Sequence, residues 1–97
     1  MTLHKWADSI SEELAGAQNY ASMYHDLKDN MPEDAEAYRE MAEQEMEHAD
    51  KLCDMACEHM EDMHDDDMNP AQREMAWNWE KARIKKRMDN IRTMLHE

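Results

Sequence analysis

From Leu3 onward the apolar positions fall at alternating steps of three and four. Leu3, Trp6, Ile10, Ala17, Tyr20, Tyr24 and Leu27 form one series, and Glu13 is its one charged member. That spacing is the seam of a packed helix and predicts one over about 3–28. Thr2 is its expected N-cap, and Ser9 with Glu12 is a capping-box pattern should the helix begin later. Asp29-Asn30-Met31-Pro32-Glu33-Asp34 breaks the series, with Pro32 suited to the first turn of a second helix and the two acids suited to its dipole.

The second helix is predicted over about 33–64. One stripe on it reads Tyr38, Met41, Glu45, His48, Leu52, Met55 and His59, bordered by Ala42, Ala49 and Ala56. A second apolar stripe holds Met46, Cys53, Met60 and Met63. Two apolar faces imply two packing partners. After the acidic loop His64-Asp65-Asp66-Asp67-Met68, Asn69-Pro70 with Gln72 gives an N-cap, a proline at N1 and a capping-box partner. A third, shorter helix is predicted over about 70–96, with Trp77, Ile84, Met88, Ile91 and Leu95 on one face. The expectation is that it packs on the Ala/Met/Cys stripe of the second helix.

Composition agrees with an all-α chain. Valine and phenylalanine are absent, and there are one glycine and two prolines in 97 residues. Strands and hairpin turns lack their usual residues. Length limits the chain to one domain, 1–97, and limits how much surface it buries alone. No stretch of 18 apolar residues exists, and Thr2-Leu3-His4-Lys5 lacks the apolar core of a signal peptide, so a cytoplasmic protein without a membrane span is expected. Cys53 and Cys57 lie one helical turn apart and would close almost no loop, which argues against a structural disulfide.

Charge is large and segregated. The net charge is −13; residues 1–72 carry 20 acidic and 4 basic side chains, residues 73–97 carry 4 acidic and 7 basic. Such a field repels nucleic acid and membrane surfaces and attracts cations or basic proteins. Lys81, Arg83, Lys85, Lys86, Arg87 and Arg92 are expected beside acidic helices of the same chain or a neighbour.

Candidate chemistry lies on the first two stripes. Bundles that hold paired metals take a Glu from each of two helices and a Glu-x-x-His pair from each of two others. This chain has one of each, Glu13 and Glu45-x-x-His48. Residues three apart share a helix face, so Glu45 and His48 reach one metal together. If the hairpin turns near Met31, Glu13 and Glu45 differ in height by roughly 6 Å, about one turn. Carboxylates on a seam without a basic partner are costly to bury, and carboxylate and imidazole donors suit iron(II) or manganese. Half a set requires a second chain, so an antiparallel hairpin would complete a four-helix bundle by dimerisation. The expected assembly is a homodimer or a ring of dimers.

Other groups carry less. His59, with His4 across the hairpin, is a second-site candidate more simply read as packed or solvated. Cys53 and Cys57 with Met55 and Met60 are soft donors better read as apolar filler. His64 with Asp65, Asp66 and Asp67 is a candidate cation entrance more simply read as a solvated loop. Trp77 and Trp79 read as packing or interface anchors. No nucleophile triad or phosphate-binding glycine loop is visible.

Glu13-(x6)-Tyr20 followed by Glu45-x-x-His48 is similar to the first half of a ferritin ferroxidase centre. Over roughly 6–64 the chain resembles the ferritin-like superfamily, most of all the encapsulated ferritins. The resemblance implies two short chains sharing one di-iron site, with Glu13, Glu45 and His48 as ligands and Tyr20 supporting the centre. It further implies iron as cofactor, two per dimer, with manganese or zinc as substitutes, and ferroxidase activity. Arg92-Thr93-Met94-Leu95-His96-Glu97 does not look like an encapsulin-targeting tail, which favours iron oxidation or sequestration over storage in a shell. The rival expectation is a small acidic helical inhibitor or adaptor that binds a basic protein surface, a charge mimic of nucleic acid. Inward-turned Glu13 and Glu45 favour the metal; outward ones leave only charge.

Overall fold

The computed structural model describes residues 1–65 and 67–97. Three long helices and one short turn make up the fold: α1 Leu3–Leu27, α2 Pro32–Glu58, a 3-10 turn Met60–Asp62, and α3 Pro70–Leu95. At 25, 27 and 26 residues the helices are nearly equal, so α3 is not the shorter helix expected.

Each boundary has a local cause. Thr2 Oγ1 accepts the Lys5 N–H at 3.2 Å, and both Asp65 carboxylate oxygens accept the Leu3 N–H at 3.2 and 3.1 Å. The start of α1 is thus capped from within and from 62 residues away, by a carboxylate placed where the helix dipole favours it. Pro32 opens α2, with Glu33 and Asp34 in its first turn. The helix ends at Glu58, about a turn and a half before the expected end near His64. Glu58, Glu61 and Asp62 crowd its C-terminus, where the dipole disfavours negative charge. At α3 the expected capping box forms in full: Asn69 Oδ1 accepts from Gln72 N at 2.8 Å and Gln72 Oε1 from Asn69 N at 2.9 Å.

α1 and α2 pack as an antiparallel hairpin. The core it shares with α3 is formed by Leu3, Trp6, Ile10, Leu14, Ala17 and Ala21 of α1, Ala42, Met46, Ala49 and Ala56 of α2, and Trp77, Ile84, Met88, Ile91 and Leu95 of α3. Relative to the predicted seams this core is rotated on both helices. Leu14 and Ala21 are buried in place of Glu13, Tyr20 and Tyr24, and the alanines with Met46 are buried in place of Met41, Glu45, Leu52 and Met55. Small residues let the two long helices approach closely, and the third helix draws the core toward its own side.

The placement of α3 also differs from expectation. It runs parallel to α1 and contacts α1 more extensively than α2. Arg87 Nη1 donates to Ser11 Oγ at 3.0 Å, and Lys28 Nζ donates to the Glu97 carbonyl at 2.9 Å. The first turns of α3 run past the start of α1 and lie against the end of α2, where Trp77 Nε1 donates to Cys57 Sγ at 3.2 Å. This overhang accounts for an extent of 53 × 18 × 17 Å, longer than the ~40 Å of a 27-residue helix. Lys81, Lys85 and Arg92 line the groove beside Asp50, near the acidic helix as the charge pattern predicts. α3 covers one side of the hairpin. The other side keeps an open edge, with Tyr20, Met41, Glu45 and Leu52 half-buried and Met55 45 % exposed. Among the described residues no helix is long and apolar enough to cross a membrane.

Candidate metal centre

That open edge carries the metal-type residues. Glu13 projects from the middle of α1, Glu45 and His48 from the middle of α2, and one ligand atom from each lies within 4.8 Å of the other two. His48 Nδ1 is 3.6 Å from Glu13 Oε2. It is the one such cluster of His, Cys, Asp or Glu among the described residues. Glu13 is 30 % exposed and His48 55 % exposed, so the group is turned to the edge of the hairpin rather than sealed inside it.

Its electrostatics are those of a site short of positive charge. A hydrogen bond to Glu13 holds the Glu45 carboxyl above the usual carboxylate range, and burial and the negative charge of Glu13 push the same way; His48 pulls it down. Two carboxylates facing each other without a lysine or arginine repel, which disfavours the second negative charge. Two hard oxygen donors and a borderline imidazole around one point suit a divalent transition metal. The donor set therefore fits such an ion, whose positive charge would relieve the repulsion.

Gly16 lies against the Glu45 side chain. It sits one turn after Glu13, and a Cβ added there would lie 3.5 Å from Glu45 Oε2. The sequence reading passed over this residue, although a lone glycine inside a helix, which costs about 1 kcal/mol relative to alanine, signals a close neighbour.

Tyr20 lies outside the cluster. Its ring packs on Tyr38 with centroids 6.1 Å apart, and it stands two turns, roughly 10 Å along the helix, from Glu13. His59 stacks on Trp6 at 6.1 Å and approaches Asp62 at 4.0 Å, so it joins no cluster with His4. Cys53 and Cys57 are free thiols. Burial, helped by Asp50, pushes the Cys53 thiol up to about 11, which keeps it protonated as a small apolar group. Asp65 is the anchor of α1 rather than part of a cation entrance, and Asp66 lies outside the described residues.

Three helices with a carboxylate and histidine cluster across the first pair define a ferritin-like helical protein with a potential metal site. The rubrerythrin family model matches residues 7–95, and the chain belongs to that family. Neither a curated protein nor a solved structure gave a match to it.

Proposed function

We propose that two copies of the chain pair through the open edges of their hairpins and assemble a di-iron centre from two sets of Glu13, Glu45 and His48, at which iron(II) is oxidised by oxygen. The observation that carries this reading is the cluster itself: one Glu from α1 and a Glu-x-x-His pair from α2, within 4.8 Å, on an edge left half-open. Doubling that set by a two-fold axis gives the four carboxylates and two imidazoles of a paired-metal bundle site. The half-exposed apolar side chains around it, Tyr20, Met41, Leu52 and Met55, would be covered in the same step.

In this arrangement Glu13 and Glu45 hold the cationic substrate and neutralise its charge. His48 fixes the position of the ion along α2, and Gly16 lies beside the Glu45 carboxylate. The charge of iron(II) would offset the repulsion between Glu13 and Glu45. Iron(II) held there would supply electrons to oxygen, one from each of the two ions. Tyr20 and Tyr38 wall the edge on one side, and Tyr20 supports the centre from there. The assignment makes the chain most like the encapsulated ferritins within the ferritin-like proteins, with manganese or zinc able to take the place of iron.

Oxygen-consumption and stopped-flow measurements with iron(II) test it. Glu13→Ala, Glu45→Ala and His48→Ala are each expected to abolish rapid oxidation with helix content intact, because a single substitution removes two donors from a symmetric site. Tyr20→Phe is expected to slow oxidation and leave metal binding in place. Equal rates in the wild type and all three ligand variants would sink the assignment.

A further inference from the structure

The sulfur-bearing residues at the end of α2 form a second group of metal-type donors, unused by Glu13, Glu45 and His48. Cys53, Cys57 and Met60 follow one another at steps of four and three and so fall on one helix face. That face is turned to α3. Cys53 lines a groove with Lys81 and Met88, and further along Cys57 and Met60 line a second one with Arg73. The indole N–H of the buried Trp77 donates to Cys57 Sγ at 3.2 Å, which holds this thiol against α3. Both thiols are free, with Cys57 exposed and Cys53 half-buried. An ion therefore has an approach from solvent at Cys57 and an apolar wall at Cys53 and Met60, which pack on the core.

Geometry and donor chemistry narrow what this group can hold. Side chains four apart on a helix have Cβ atoms about 5–6 Å apart. That is wider than the roughly 3.5–4.5 Å of a disulfide, so a direct S–S bond requires the turn to unwind, whereas an ion between the sulfurs spans the gap. Thiolate and thioether donors select soft cations, copper(I) and zinc(II) among them. Zinc takes four ligands in structural sites, drawn from Cys, His and carboxylate groups. Among the described residues no further His, Cys, Asp or Glu joins the two cysteines in a cluster of three. Copper(I) is satisfied by two or three sulfurs. Burial first, and then the negative charge around it with Asp50 foremost, keeps the metal-free Cys53 thiol protonated. A coordinating thiol gives up its proton to solvent when the ion enters. Two thiolates and one monovalent ion leave a single negative charge, which the Lys81 ammonium beside Cys53 offsets.

We propose that Cys53 and Cys57, with the Met60 thioether, bind one copper(I) ion per chain between α2 and α3. This face of α2 is not the one that bears Glu45 and His48, so the chain holds a soft cation and a harder one at separate places.

Titration of the full, reduced chain with copper(I) in the absence of oxygen, in competition with the chelator bathocuproine disulfonate, tests it. One ion per chain is expected, with a near-ultraviolet copper-thiolate absorption and quenching of tryptophan fluorescence, since Trp77 touches Cys57. Cys53→Ser and Cys57→Ser should each weaken binding at least tenfold, and Met60→Leu, which keeps the apolar bulk, should weaken it less. Met75→Leu removes an exposed thioether on α3 and should change nothing. Circular dichroism checks that each variant keeps its helices, and Cys53→Ala repeats the measurement should a serine at that half-buried position unsettle the fold. Copper(I) surrendered entirely to the chelator, binding that survives either cysteine substitution, one ion shared by two chains through Cys57 alone, or zinc(II) held in preference to copper(I) overturns the proposal. Iron(II) plays no part in this titration, so the two metal readings stand or fall separately.

Discussion

Glu45 shows how one side chain links burial, charge and binding. Its carboxyl is held above the ordinary range chiefly by its hydrogen bond to Glu13. A group with a raised pKa in the folded state adds stability below its unfolded pKa, and that stability is lost as pH rises through the raised value. The metal-free protein is therefore expected to melt at lower temperature as pH climbs from about 4.5 toward neutrality through this group. Metal affinity runs the other way and should strengthen over the same range, because the ion binds the ionised carboxylate. Melts with and without manganese across that range check both signs, and Glu13→Gln should flatten the metal-free trend. Gly16 gives a second prediction. The 3.5 Å gap to Glu45 Oε2 is ordinary contact for a methyl group, so Gly16→Ala is expected to stabilise the helix by about 0.5–1 kcal/mol. Gly16→Leu is expected to displace the Glu45 carboxylate and weaken metal binding at least tenfold in a titration, with little loss of helix.

Among the helices, the N-terminus of α1 depends on a residue far along the chain. Asp65 is 8 % exposed and spends both oxygens on the Leu3 N–H, tying the α2–α3 connection to the first turn of α1. Replacing it with alanine is expected to cost about 1–2 kcal/mol by removing a cap and a favourable charge at a helix start. Chemical denaturation measures the loss, and amide exchange should quicken first in the opening turn of α1. Asp65→Asn, which keeps one acceptor and loses the charge, should fall between the two.

In the whole molecule, the division of surfaces governs behaviour. α3 seals one side of the hairpin and leaves the metal-bearing edge for another chain, as the proposed dimer requires. A metal that binds only the folded, paired state raises stability by mass action, about 2.7 kcal/mol at a hundredfold excess over Kd. The melting temperature is thus expected to rise with iron(II), manganese or zinc, and to rise further with protein concentration. The Glu13→Ala, Glu45→Ala double variant should lose the metal response and keep the concentration response. An unchanged melt in saturating metal would count against a site at this edge.

Much of this was legible in the sequence because it is local. Thr2, Asn69 with Gln72, and the two prolines set helix starts through contacts a few residues long, and those starts appear where the pattern puts them. The pairing of Glu13 with His48 and Glu45 was legible too, since a short antiparallel hairpin fixes register by counting from its turn. Three features depended on tertiary structure. Periodicity gives a stripe but not its direction, so the rotation that buries Leu14 and Met46 and leaves Glu13 and Leu52 at the edge came from the third helix competing for the hairpin. The choice of α1 as the main partner of α3, and the overhang of α3 past the start of α1, follow from packing between distant residues and from no local pattern. The contact between Asp65 and Leu3 joins residues 62 apart, and no local pattern specifies such a bond. Sequence by itself determined the helices and which residues share a face, because those follow from backbone geometry; only the packed chain decided which face each helix hides, because that depends on what else arrives to cover it.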